Sequence, residues 1–340
     1  MNTVPDPLVE VEGLSLATHN QDEELTLLED LSVAVEPGEA LGIIGESGSG
    51  KSLLVRSLVG LLPRGVHHTA GTVRVDGIDV TTASQRRLRG LRGARVGMVF
   101  QDSIGSLDPL FTVGKQLVEA MRVHRKISTR SARAEALRLL DEVGIAEPES
   151  RLRSYPHELS GGMAQRVAIA IAIANSPRLL IADEATTALD VTVQRQVVGL
   201  INRIRTEHEC SVIFVSHDLA IVASLVDRVA VMYAGRIVEL GPTDQVLNAP
   251  RHPYTAGLLR SRPQLDVVAQ EVLTIPGAVP LPGEWPAGCL FHPRCPRSDD
   301  DRCVREEPTL EGRKHVSACH YPLIDGADRS TLDEAPGASR

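Results

Sequence analysis

An α/β fold, with helices layered on a largely parallel sheet, is what this sequence predicts, and three observations carry the prediction. Up to about Gly235, short apolar runs alternate with segments of helical periodicity. Each candidate strand ends in polar residues, the placement from which open α/β sheets hold their ligands. A glycine-rich loop separates one of these strands from the helical segment that follows it.

The candidate strands are "ALGIIG" at 40–45, "VGMVFQ" at 96–101, "RLLIADE" at 178–184 and "SVIFVSHD" at 211–218. A mostly helical subdomain is expected at about 102–176, between the second and third of these strands. Within it, "STRSARAEALRLLDEVG" begins with Ser and Thr as possible caps, carries Ala, Leu and Val at helical spacing, and stops at Gly144. "VAVMYAGRIVEL" reads as a hairpin turning at Ala234 and Gly235. After Gly241 the chain becomes rich in proline, so a separate, loop-rich extension is expected over 241–325, with a polar, disordered tail at 326–340.

The strongest motif is "GESGSGKS", which fits G-x-x-x-x-G-K-[ST] after a strand and before an apolar helical run. Gly45, Glu46, Ser47, Gly48, Ser49, Gly50, Lys51 and Ser52 would wrap nucleotide phosphates. Small residues let backbone N–H groups turn inward, and the helix N-terminus adds partial positive charge. Lys51 would reach the β- and γ-phosphates, and the Ser52 hydroxyl would bind Mg²⁺. "LLIADE" supplies Asp183 to hold the magnesium shell and Glu184 to polarise the attacking water. Gln101 is a candidate for contact with metal and water, and His217 for the γ-phosphate.

Composition bounds the function. A net charge of −8 and a pI near 5.8 give no general attraction to nucleic acid. The five arginines of "RRLRGLRGAR", 86–95, lack interleaved aromatics and read as a solvated face. "MNTVPDPLVE" has neither the basic nor the apolar region of a secretory signal, and the apolar run "VAIAIAIA" is far short of the roughly 20 residues of a membrane span. A cytosolic chain held at any membrane by other subunits is therefore expected.

"ELSGGMAQRVAIA", 158–170, places a second Ser-Gly-Gly helix start in a chain that already has one phosphate site. Here the chain resembles the ATP-binding-cassette ATPases, whose signature is Leu-Ser-Gly-Gly-Gln, with Met163 standing in for the final Gln. The resemblance covers about residues 1–240 and includes, in order, the Walker A loop at 45–52, Gln101, the signature at 159–163, the Walker B strand at 179–184, "ALD" at 188–190 and His217. It implies a P-loop ABC ATPase core in which two subunits sandwich two ATP molecules. Ser160, Gly161 and Gly162 would face the partner's ATP, Asp190 would cross the dimer interface, and Glu184 would be the general base; the helical insertion would dock on a membrane permease. The family stacks adenine on an aromatic residue near the N-terminus, where this chain offers only Thr18 or His19.

"FQDSIGSLDPLFTVGKQL", "LLIADEATTALDVTVQ", "RHPYTAGLL" and "GCLFHPRCP" look like the di- and oligopeptide importer ATPases, a branch that includes nickel importers. Ala185 stands where that branch has Pro. The resemblance implies a peripheral subunit at the cytoplasmic face of the bacterial inner membrane. Its partners would be two transmembrane permease subunits, a second ABC ATPase and, indirectly, an extracytoplasmic substrate-binding protein. Other readings are a nickel importer ATPase, a soluble cassette ATPase acting on ribosomes or nucleic acid, and a non-hydrolytic partner of another ATPase. The ribosomal reading lacks the second cassette, long coiled coil or basic arm that such proteins carry.

Four of the five cysteines, Cys289, Cys295, Cys303 and Cys319, cluster near the C-terminus with spacing C-x5-C-x7-C-x15-C. Cys210 lies alone in an apolar run and reads as a core thiol. In a reducing compartment clustered thiols point to metal, but the spacing does not choose between zinc and an iron–sulfur cluster. The resemblance to the peptide-importer branch implies a [4Fe-4S] cluster. Either metal would staple a lobe too poor in apolar periodicity to build its own core. His292, His315 and His320 are nearby and are further candidate ligands, although they read first as solvated loop residues.

Overall fold

The computed structural model describes residues 6–20, 23–185, 190–261, 275–299 and 301–323. The expected tail at 326–340 and Ala188 and Leu189 of the "ALD" stretch lie outside them. The chain runs through β1 (Val9–Asn20), β2 (Glu23–Val35), β3 (Ala40–Ile44), α1 (Lys51–Ser57), β4 (Val66–Val75), β5 (Ile78–Asp79), α2 (Gln85–Leu91) and β6 (Val96–Val99). Helices α3 (Val113–His124), α4 (Thr129–Glu142), α5 (Pro148–Arg151) and α6 (Gly161–Ile173) follow. Then come β7 (Leu179–Asp183), α7 (Val191–Glu207), β8 (Ser211–Val215), α8 (Leu219–Leu225), β9 (Arg228–Tyr233) and β10 (Arg236–Pro242). The C-terminal part adds α9 (Thr243–Asn248), α10 (Pro253–Arg260), α11 (Arg302–Arg305), β11 (Glu311–Gly312) and β12 (Val316–Ser317).

The main sheet has the order β11-β12-β10-β9-β3-β8-β7-β6. Strands β9, β3, β8, β7 and β6 are mutually parallel. Every residue of β3, β7 and β8 is buried, as strands covered on both faces require. Helix starts follow local chemistry: Ser84, Thr112, Ser128, Ser160, Asp190 and Asp218 each accept a backbone N–H from the first turn of α2, α3, α4, α6, α7 and α8. Helix α4 ends at Glu142, two residues before the left-handed Gly144 that stops the run. Among the described residues no helix is long and apolar enough to cross a membrane.

Three expectations need correcting. The strands stop short of their polar ends, so Gln101, Glu184 and His217 stand in the loops beyond β6, β7 and β8. A second sheet, antiparallel in the order β2-β1-β4-β5, was not anticipated from the sequence. Its strands carry register shifts between Val11, Leu14, Leu16 and Ala17, which break the period-two alternation by which strands are recognised. Nor is the C-terminal extension a separate body. Its strand β12 pairs with β10 and continues the main sheet, and Cys289, Leu290 and Phe291 belong to the same buried cluster as β7 and β8 residues.

Candidate functional site

The sheet order brings the polar residues together. Strands β3, β8, β7 and β6 lie side by side and parallel, so the Gly45–Ser52 loop, His217, Asp183 with Glu184, and Gln101 all leave the same sheet edge in that order. The Ser52 hydroxyl donates to Asp183 Oδ1 at 2.9 Å, spanning the width of β8. Gln101 Nε2 donates to Glu184 Oε2 at 2.8 Å. His217 is exposed and faces a cleft shared with Gly45, Ser216 and Gln194.

Lys51 is buried, and its ammonium donates to the carbonyl oxygens of Gly45 at 2.9 Å and Glu46 at 2.8 Å. Burial lowers its pKa, while the carboxylates of Glu184, Asp183 and Glu46 act to raise it. Burial raises the pKa of Asp183, against the Ser52 hydrogen bond. A hydroxyl and a carboxylate held together at this depth form a hard-oxygen pair suited to Mg²⁺. Two glycines of the loop are obligatory. Gly50 has φ 98° and a Cβ there would come within 2.5 Å of Leu28, while Gly45 has φ 153° and its Cβ would lie 2.2 Å from the Met232 carbonyl. Ser49 Oγ is buried without a hydrogen-bond partner, an orphaned polar atom inside the phosphate loop. Glu184 adopts a left-handed conformation, φ 48°, and its N–H reaches Val215 O at 3.1 Å.

Ser160 and Gly161 are exposed at the start of α6. Ser160 Oγ accepts the Met163 N–H at 3.3 Å, and Gly162 is pressed against Val193 of α7, where a Cβ would lie 3.0 Å from its side chain. Asp190 caps α7 through Thr192 and Val193. Gly162 and Asp190 thus both lie at the start of α7. His19, a candidate for the nucleotide base, stacks on His67 with ring centroids 5.0 Å apart.

Residues 28–187 match the ABC transporter family model, and residues 238–303 match the oligopeptide/dipeptide transporter C-terminal region. The dipeptide transport ATP-binding protein DppD of Escherichia coli is 44% identical over 329 residues, covering 96% of this chain and 99% of the relative. The chain belongs to the ATP-binding-cassette transporter family. A putative peptide import ATP-binding protein of Brucella abortus is 45% identical, over 89% of this chain and 91% of its own length. Among solved structures, the ATP-binding cassette MJ0796, a dimer bound to ADP and Pi, superposes with a TM-score of 0.63 at 27% identity, covering 69% of this chain and 98% of that one. This cassette is thus an ATPase that uses ATP and Mg²⁺.

The cassette's phosphate loop is held from behind by the C-terminal lobe, through residues to which the sequence reading gave no role. Arg294 is buried and grips the Glu46 carboxylate with both guanidinium nitrogens, at 2.8 and 3.0 Å. The Glu46 N–H donates to the Tyr254 hydroxyl at 2.8 Å. Tyr254 lies in "RHPYTAGLL" and Arg294 in "FHPRC", stretches that marked the branch without showing a physical task.

All four C-terminal cysteines are free and line one small enclosed cavity with Phe291, His252, His292 and Tyr321. Burial pushes their thiols up, Cys295 to about 11 and Cys319 to about 12, and Cys289 and Cys303 in the same direction. Among the described residues, the group of His, Cys, Asp and Glu whose donor atoms all lie within 4.8 Å of one another is His19, Glu24 and His67, so no three of these sulfurs meet that limit. The donor set is all thiol, which suits either zinc or an iron–sulfur cluster.

The neighbouring histidines differ from expectation. His315 is not a solvated loop residue: it is buried, and its Nε2 lies 2.6 Å from Glu239. Glu239, itself fully buried on β10, also accepts the N–H groups of Arg251 and His252. His292 Nδ1 meets the Cys289 carbonyl at 2.9 Å, and His320 Nε2 the Glu306 carbonyl at 2.8 Å.

Proposed function

We propose that this cassette is the ATP-hydrolysing subunit of a bacterial importer of dipeptides and oligopeptides. The observation that carries the reading is the breadth of the likeness to a dipeptide transport ATPase: it runs over 96% of the chain and so takes in the C-terminal region as well as the nucleotide core. On this reading the subunit works at the cytoplasmic face of the inner membrane with two permease subunits and a second cassette ATPase, and an extracytoplasmic binding protein delivers the peptide. The α6 start, with Ser160 and Gly161 exposed and Gly162 behind them, and Asp190 would close on nucleotide held by the partner's phosphate loop.

In hydrolysis, Lys51 exchanges its bonds to the Gly45 and Glu46 carbonyls for the β- and γ-phosphates. Ser52 and Asp183, with Gln101, would hold the magnesium ion, which would neutralise charge on the phosphates. Glu184 accepts a proton from the attacking water as the water oxygen bonds to the γ-phosphorus and the bond to ADP breaks. His217 contacts the γ-phosphate. Cys289, Cys295, Cys303 and Cys319 would hold a [4Fe-4S] cluster, which when bound ties four points of the lobe together. The gathering of four thiols around one cavity supports a metal centre there, and the resemblance to the peptide-importer branch favours the cluster over zinc.

The test is ATP turnover and peptide uptake by the assembled transporter in proteoliposomes. Glu184→Gln should retain bound ATP and lower turnover by about 10²- to 10⁴-fold. Unchanged hydrolysis would remove Glu184 as the base, and ATP-driven uptake of nickel rather than peptide would replace the substrate assignment.

A further inference from the structure

The four cysteines and the phosphate loop meet at one arginine. Cys289 and Cys295 bracket a single 3₁₀ turn, His292–Arg294, closed by Cys289 O accepting from His292 N and by His292 O accepting from Cys295 N. The turn is locked to the next cysteine through Cys289 N, which donates to Cys303 O at 2.9 Å. Arg294 leaves this turn, donates through Nε to Pro276 O at 2.7 Å, and lies 5.7 Å from the Tyr233 ring centre. Its planar fork then takes both oxygens of Glu46.

Glu46 is held at each of its polar groups. Its carboxylate is in the Arg294 fork, its N–H is on Tyr254, and its carbonyl accepts Lys51 Nζ. Tyr233, Tyr254 and Phe291 form an aromatic wedge between loop and lobe, with centroids 4.7 to 5.4 Å apart. A buried charge pair is weak ground for stability, because desolvation offsets its attraction; its attested use is to fix one arrangement. Here the arrangement fixed is that of the residue whose carbonyl holds the phosphate-binding lysine.

We propose that Arg294 is a positioning residue of the nucleotide site, and that metal held by the cysteines sets MgATP affinity through it. The second half rests on the metal reading above. With metal bound, the bracketed turn holds Arg294 on Glu46 and the loop stays ready for phosphate. Without it the turn loosens, and the loop must be ordered by the nucleotide at a cost in affinity.

The test uses the full-length chain purified anaerobically, with MgATP affinity measured by displacement of a fluorescent ATP analogue and metal content measured on the same samples. Trp285, the sole tryptophan, packs on Gly235 and reports lobe docking by its emission. Arg294→Met should raise the MgATP Kd about tenfold, with Arg294→Lys in between and Trp285 emission unchanged. Cys295→Ser should lose metal and raise Kd to a similar extent, yet add little in the Arg294→Met background. Should Arg294→Met fail to fold, Tyr254→Phe removes only the hydroxyl that accepts from Glu46 and should raise Kd a few-fold. An unchanged Kd in a docked Arg294 variant overturns the positioning role. Fully additive Cys295 and Arg294 effects, or Cys295→Ser with no metal to lose, overturn the metal coupling and leave the Arg294 effect to stand by itself.

A separate observation carries a second site. His19 and Glu24 are directly opposed across β1 and β2, and His67 of β4 is opposed to Ala17, two residues from His19 on the same face. Backbone register thus places two imidazoles and a carboxylate together. Their donor atoms lie within 4.8 Å of one another, with His67 Nε2 at 3.2 Å and His19 Nε2 at 4.0 Å from Glu24 Oε2. The geometry points to a surface site for one divalent transition cation that prefers imidazole, with Zn²⁺ as probe. Calorimetric titration of the full chain, its cysteine site already filled, should show one Zn²⁺ bound, weakened at least about tenfold in both His19→Ala and His67→Ala. Absence of that equivalent, or equal binding by the variants, overturns the site.

Discussion

The two regions flanking the parallel sheet are held on by different means. The N-terminal antiparallel sheet carries its own apolar interior, in which Leu14, Leu16, Leu28 and Leu31 are fully buried among β3 and α1 residues. The C-terminal lobe also packs apolar side chains on the core, among them Val246, Tyr254, Leu290 and Phe291, but it adds buried polar joints: Glu239 with His315, and Arg294 with Glu46. Apolar burial is non-directional and tolerates changes of shape, whereas a buried charged group is costly unless all its partners are in place. The first region is therefore attached by area, and the second by area and geometry together. Only the second kind of attachment can report a local change in the lobe to the phosphate loop.

Substitution in each region should expose this difference, and the largest effect is expected in the lobe. Glu239→Ala strips the acceptor from His315 and from two backbone N–H groups, and should cost about 3–5 kcal/mol. Thermal unfolding would show the loss, with Trp285 emission shifted red as the lobe undocks; a fall below about 1 kcal/mol would mean that apolar contacts hold the lobe after all. Leu16→Ala should cost about 2–5 kcal/mol, but Leu16→Met less than about 1.5, since shape-conserving apolar swaps are tolerated. Glu239→Gln, equally conservative in shape, should not be rescued in this way. If both conservative changes prove equally mild, the contrast between the regions fails.

The smallest effect belongs to the helical insertion, which serves as a control. Arg125 donates to both oxygens of Glu135, and this pairing lowers the Glu135 pKa. A carboxylate with a depressed pKa contributes stability above its unfolded value, near 4.3, and loses it as pH falls through the folded value. The pair is solvent-screened, so Glu135→Gln should cost under about 1 kcal/mol at pH 7 and nothing in strong acid, as measured by urea titration at both pH values. A cost that persisted in acid would assign the effect to packing.

Much of the nucleotide site was legible in the chain because its requirements are local. A loop that turns backbone N–H groups inward needs Gly45, Gly48 and Gly50 at fixed offsets, and helices α4 and α6 need Ser128 and Ser160 at their starts. Parallel strands buried on both faces must read as apolar runs, which exposed β3, β7 and β8. The antiparallel sheet was less legible because bulges interrupt the alternation in β1.

What the chain determines along its length is thus the order of strand, loop and helix, the residues that leave each strand end, and the gathering of thiols near the C-terminus. Tertiary structure alone decided which of these meet. Arg294 and Glu46 are 248 positions apart, and His315 and Glu239 are 76 apart. Pairings over such separations leave no periodic or compositional trace, because they depend on where the sheet order β12-β10-β9-β3 sets the lobe beside the loop. The same arginine and histidine, read locally, are indistinguishable from solvated loop residues.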